Sequence, residues 1–350
     1  MSKTAEGNYF EDFSIGQILA HATPRTVLEG DISLYTALYG SRFAMQSSAA
    51  FAMDNGMEDL PADDFLTFHI VFGKTVPDIS INAVANLGYA ECRFLRPVFA
   101  GDTLSATSEV IGLKENSNGK TGNVYVRTTG INQNGLPVLE YVRWVMVRKR
   151  NVDSPAPQTQ IPALKNNVDV ADLVVPEGVD FQQYDAVLAG SPYAWDDYDV
   201  GEKINHVDGM TIEAAEHMMA TRLYQNTAKV HFNLHTEKQG RLGERIVYGG
   251  HVISLCRALS FNGLGNAAFV AAINGGRHVA PCVAGDTVYA WSEILDKSPL
   301  PAREDIGALR VRLVGCKDHQ PIDFPYKEDE KNYHPAVVLD LDVWVLLPRK

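Results

Sequence analysis

Tyr198-Asp-Val-Gly-Glu-Lys-Ile204 repeats the pattern of Phe13-Ser-Ile-Gly-Gln-Ile18, with Gly201 standing 185 positions after Gly16. The same offset carries Thr26 onto Thr211, Asp31 onto Glu216, Tyr39 onto Tyr224 and Gln46 onto His231 without a gap. Further similarities follow in order. Ile70-Val-Phe-Gly73 resembles Ile246-Val-Tyr-Gly249, and Arg96-Pro-Val-Phe-Ala-Gly-Asp-Thr103 resembles Ala280-Pro-Cys-Val-Ala-Gly-Asp-Thr287. Each half closes on an apolar run around a tryptophan, Tyr141-Val-Arg-Trp-Val-Met-Val147 and Leu341-Asp-Val-Trp-Val-Leu-Leu347. One such likeness could be chance, but four in the same order point to duplication. Two sibling units are therefore expected, over 1–150 and 186–350. Between them, 151–185 reads as a linker, because Pro155, Pro157 and Pro162 lack the backbone donor that helices and central strands need.

Within each half the same element order is expected. A short helix follows Thr26 and Thr211, the second with Thr211 as its cap and Glu213 and Glu216 in its first turns. A longer apolar helix is expected over Lys74–Leu87 and again over His251–Leu259. The sequence then turns to β: Val124–Thr129 and Val138–Val145 are rich in β-branched and aromatic residues, and Asn132–Pro137 between them reads as a hairpin turn. One buried helix followed by antiparallel strands is an α+β architecture, with the sheet wrapped about the helix.

Composition narrows the function. Of 350 residues, 45% are hydrophobic and 21% charged, which is a globular balance. The 31 basic residues against 43 acidic ones leave a net charge of −12, so nucleic acid is not an expected partner. No apolar run is long enough for a membrane span, and the opening Met1–Ser14 stretch lacks a secretory apolar region, so a cytoplasmic location is expected. Cys92, Cys256, Cys282 and Cys316 lie far apart, as reduced and buried thiols would.

These residues carry a family resemblance. The second half reads Gln225-Asn226-Thr227-Ala228-Lys229-Val230-His231 and then Ile246-Val247-Tyr248-Gly249-Gly250. This resembles the loop motif of the MaoC-like (R)-specific enoyl-CoA hydratases and the Gly-headed central helix that follows it. The strings Tyr35–Ser41, His69–Ile79 and Arg222–Ala228 further resemble the 2-methylfumaryl-CoA (mesaconyl-CoA) hydratases. The resemblance implies a double hot-dog fold: two tandem units, each an antiparallel sheet wrapped round a central helix. It also implies a hydro-lyase that needs no cofactor and no metal, acts on an acyl-CoA thioester and interconverts 2-methylfumaryl-CoA with β-methylmalyl-CoA. Hot-dog sheets pair, so a homo-oligomer, a dimer by analogy, is expected.

The resemblance likewise assigns roles. His231 matches the catalytic histidine, and an imidazole can both take and return a proton near neutrality. Gly249 would offer its backbone N–H to the thioester oxygen at a helix N-terminus, with Gly250 and Tyr248 beside it against the substrate. Asn226 stands where the motif has an aspartate, and an amide cannot be an acid or base. A second proton carrier would then be Glu216 or Glu213, unless His231 serves both steps. Ser41 and Gln46 occupy the places of Asn226 and His231 in the first half and supply no base, so that half is expected to be non-catalytic and to help form the cleft. The distal carboxylate of the substrate calls for a guanidinium; Arg222, Arg245, Arg277 and Arg42 are the candidates. His231 and His235 stand at metal-ligand spacing, but no third ligand accompanies them. Two other functions remain open at this stage, an acyl-CoA thioesterase and a non-catalytic acyl-CoA-binding module.

Overall fold

Runs of β-branched and aromatic residues, alternating between a core face and an outer face, form ten strands in the computed structural model, which describes residues 3–301 and 303–350. They are β1 (Ile18–Thr26), β2 (Ala83–Phe94), β3 (Thr103–Glu115), β4 (Thr121–Ile131), β5 (Pro137–Arg148), β6 (Lys203–Thr211), β7 (Phe269–His278), β8 (Thr287–Pro299), β9 (Ile306–Lys317) and β10 (Val337–Pro348). All pair antiparallel into one sheet, in the order β1-β3-β4-β5-β2-β7-β10-β9-β8-β6. The first five strands recur as the last five. The halves join where β2 meets β7, with Tyr89 opposite Gly276 and Cys92 opposite Ile273. This is the double hot-dog, α+β architecture.

The central helices are Asp64–Thr75 and Gly249–Leu259, and nearly every residue in both is buried. A helix that is apolar on all sides belongs inside a core, and here both pack into one hydrophobic cluster that spans the two halves. Two shorter helices, Glu29–Tyr39 and Ala214–Leu223, accompany them. The first-half expectation of a helix over Lys74–Leu87 is corrected: that stretch holds the end of the central helix, a wide turn at Val76–Ser80 and the start of β2. The constant offset places Asp64, not Gly73, opposite Gly249. Thr211 is likewise the last residue of β6 rather than a helix cap, its hydroxyl paired with Thr287 Oγ1 at 2.8 Å. Glu213 occupies the cap position.

Equivalent residues meet along a pseudo-twofold axis. Tyr39 Oη lies 2.7 Å from Tyr224 Oη and 2.9 Å from His251 Nδ1, and His69 Nε2 lies 3.1 Å from Ser254 Oγ. Burial holds His69 and His251 far below the ordinary histidine range, at about 3, so both are neutral. The stretch after β5 is built into the outer face of the sheet. Val168, Val179 and Phe181 pack with Phe269 and Trp344, and Trp344 Nε1 donates to the Val168 carbonyl at 3.0 Å. Among the described residues, no helix is long and apolar enough to cross a membrane.

Gly73 permits a close approach between the halves, since a Cβ there would fall 1.9 Å from the Tyr224 carbonyl oxygen. Glycine to alanine inside a helix ordinarily stabilises by up to about 1 kcal/mol. Here Gly73→Ala is expected to destabilise by about 1–3 kcal/mol, read as a lower denaturant midpoint; a stabilising effect would contradict the contact.

Candidate functional site

A cavity of about 340 Å³ opens where the two halves meet. The first half contributes Phe72 from the end of its central helix, Tyr89 from β2 and Arg143 from β5. The second contributes Asn226, His231, Tyr248, Gly249 and His278. Four residues singled out from the sequence, Asn226, His231, Tyr248 and Gly249, thus share one cavity.

His231 ends a short turn, Lys229–His231, and its Nδ1 lies 2.9 Å from the Ile246 carbonyl oxygen. A carbonyl only accepts, so Nδ1 carries the proton and Nε2 keeps its lone pair. Burial lowers the pKa to about 4, against the opposing effect of the Ile246 hydrogen bond, because an imidazolium there loses its hydration. The ring is therefore a neutral base at pH 7. Asn226 is buried, and its side-chain oxygen accepts the Ala228 N–H at 3.0 Å. Its NH₂ group, with no acceptor among the described residues, is left to donate.

The helix Gly249–Leu259 starts at the cavity wall, and the side chain of Tyr248 at its cap position does not cap it, lying instead 3.4 Å from His69 Nδ1. Among the described residues, the Gly249 and Gly250 amides have no acceptor. Two unpaired donors at the positive end of a helix dipole are a ready place for a developing negative charge. Glycine is needed at both positions. A Cβ on Gly249 would come within 2.4 Å of the His278 ring, and one on Gly250 within 2.3 Å of the Tyr248 ring. His278 is itself neutral, lowered to about 4 first by burial and then by His231, and its Nε2 pairs with Tyr89 Oη at 3.1 Å.

The other sequence candidates lie elsewhere. Glu213 and Glu216 are exposed at the start of their helix. Arg222 is exposed and lines a neighbouring groove, which touches the cavity only through Asn226. Arg245 turns to Met218, Arg277 is exposed on β7, and Arg42 stacks on Phe261. Gly250 is buried behind Tyr248. Sequence reading missed Arg143, Tyr89 and His278.

The equivalent place in the first half is filled by the protein. Asp63 caps its own helix, Oδ1 accepting the Phe65 N–H at 2.9 Å, and Asp64 Oδ2 accepts the Val270 N–H at 2.7 Å. Gln46, at the position of His231, donates to the Ala268 carbonyl at 2.8 Å. Arg257 takes the place of Phe72 and lies 3.4 Å over the Phe43 ring. The cavity beside Asp64 has a volume of about 20 Å³.

The family model described as mesaconyl-CoA hydratase matches residues 2–324. The chain is 64% identical to the β-methylmalyl-CoA dehydratase of Chloroflexus aurantiacus, over 100% of this chain and 99% of that one. It is 58% identical to the mesaconyl-CoA hydratase of Cereibacter sphaeroides, over 99% of this chain and 100% of that one. Its fold superposes on a MaoC-domain dehydratase structure from Chloroflexus aurantiacus with a TM-score of 0.98 at 64% identity, covering 100% of both chains. A Mycobacterium tuberculosis protein with a double hot-dog fold gives 0.75 at 26% identity, covering 99% of this chain and all of that one.

Nuclear magnetic resonance of ring-labelled histidine is expected to find His231 as the Nδ1–H tautomer, titrating near 4. A midpoint near 6.5 with the Nε2–H tautomer would contradict the geometry.

Proposed function

Because the chain belongs to the mesaconyl-CoA hydratase family, we propose that it is a hydro-lyase that adds water reversibly to 2-methylfumaryl-CoA, giving β-methylmalyl-CoA. The observation that carries this reading is the meeting, in one cavity, of a neutral imidazole with the unpaired Gly249 amide, while the equivalent place in the first half has Gln46 for the imidazole and Asp63 accepting the Phe65 N–H.

The chemistry follows from that pairing. The thioester oxygen accepts from the Gly249 N–H. His231 Nε2 takes a proton from a water held by the Asn226 NH₂, and the water oxygen bonds to the β-carbon. The π electrons move toward the thioester as an enolate, whose charge rests on the helix amides. The enolate then takes at its α-carbon the proton that His231 removed, so one water is consumed and the enzyme is restored. This sequence needs no second carboxylate, in keeping with Asn226 in place of an acid and with the exposed positions of Glu213 and Glu216. The first half serves as a wall of the cleft rather than as a second centre. A CoA ester as substrate goes with a cytoplasmic location, and the free edges at β1 and β6 leave room for a homodimer.

Loss of the conjugated-thioester absorbance on adding enzyme to 2-methylfumaryl-CoA tests the reading; release of free thiol in its place would contradict it. His231→Ala is expected to cost about 10²–10⁴ in rate. Gly249→Ala keeps the N–H but sets a Cβ against the His278 ring, and by misplacing the thioester is expected to cost about 10²-fold. Gln46→Ala is expected to leave most of the activity in the folded fraction. Equal losses from His231→Ala and Gln46→Ala would refute a single active half.

A further inference from the structure

Arg143 sits in the middle of β5 with its side chain wholly buried on the cavity wall. Nη2 donates to Thr75 Oγ1 at 2.7 Å and to Ser80 Oγ at 3.0 Å, and Cζ lies 4.2 Å from the Phe72 ring centroid. These contacts fix the guanidinium plane. Nε and Nη1 have no partner. The groups acting on its charge are the hydroxyls of Tyr141, Tyr89 and Tyr248, and among the described residues it forms no ion pair.

A buried cation without a counter-ion is among the costliest arrangements in a protein core. A guanidinium cannot relieve that cost by giving up its proton near neutrality. The filled site related to the cavity by the pseudo-twofold offers a direct comparison. Its buried guanidinium, Arg257 of the second half, shares its surroundings with two carboxylates of the first, Asp63 and Asp64. Val343 on β10 holds the place that Arg143 has on β5. So the filled site carries acids for its arginine, whereas no carboxylate lines the open cavity beside Arg143.

We propose that Arg143 receives the free carboxylate at the far end of the acyl group. The substrate then lies with its thioester at the Gly249 amide and its carboxylate against Nε and Nη1. This restricts turnover to enoyl thioesters that end in a carboxylate, and it directs water to the carbon β to the thioester rather than to its neighbour. Neutralising the carboxylate also removes its electron donation into the double bond, which favours attack. The assignment rests on the hydration reading for its direction of attack, but the carboxylate contact can be measured without turnover.

Two paired measurements test it. Calorimetry compares binding of the saturated, unreactive 2-methylsuccinyl-CoA with that of 2-methylbutyryl-CoA, in which a methyl replaces the carboxylate. Kinetics compares 2-methylfumaryl-CoA with 2-methylcrotonyl-CoA. The parent protein is expected to favour the carboxylate member of each pair, and Arg143→Met to erase that preference, by about 100-fold. Arg143→Lys, which keeps the charge, is expected to retain part of it. A preference that survives Arg143→Met, or an equal proportional loss for both members of each pair, would overturn the proposal. If neither enoyl ester is hydrated by the parent protein, the hydration reading fails, and the calorimetric pair still decides whether Arg143 holds a carboxylate.

Discussion

The amides at the head of the helix Gly249–Leu259 are donors that the protein itself leaves unpaired, and the site is arranged around that vacancy. An unsatisfied buried N–H costs about 1–3 kcal/mol, so such a helix end is retained where a ligand supplies the acceptor. The sibling helix makes the contrast physical, because Asp63 accepts the Phe65 N–H, the counterpart of the Gly250 amide. A carboxylate of the chain there does what a thioester oxygen would do in the open half. Glycine at 249 and 250 keeps the amides bare and lets His278 and Tyr248 close over them.

Duplication explains why one chain can hold both arrangements. The two central helices lock together through Tyr39, Tyr224 and His251, with Ser254 and His69 close by, all polar and all buried. Networks of this kind fix a unique packing when every member is satisfied. Each half then contributes to a cleft that neither could form alone. The second half supplies His231 and the helix amides, and the first supplies Phe72, Tyr89 and Arg143. The first half is therefore more than a spent copy, since it furnishes the cation of the acyl pocket.

Much of this was legible in the residues, for reasons that differ from place to place. The offset of 185 holds from Gly16 through His231 because insertions fall mainly in the later loops. That constancy brought out His231 and Asn226 and their sterile counterparts. Gly73 misled the reading because it looks like a helix-heading glycine, whereas its cause is contact with the Tyr224 carbonyl inside the last turn of the helix. Arg143 carried a usable signal. In Tyr141-Val-Arg-Trp-Val-Met-Val147, strand alternation puts Arg143 on one face with Tyr141, Val145 and Val147, all buried. A lone arginine on an inward strand face marks a buried charge. His278, the last residue of β7, carried no such mark, because only the packing of Gly249 against its ring brings it to the cavity.

The most direct test is the infrared spectrum of a bound, unreactive thioester labelled with ¹³C at its carbonyl. Polarisation by the Gly249 amide predicts that the carbonyl stretch moves to lower frequency on binding, and that Gly249→Ala, whose Cβ meets the His278 ring and displaces the carbonyl from the amide, returns it toward the free value. A stretch unchanged from that in water would contradict the account.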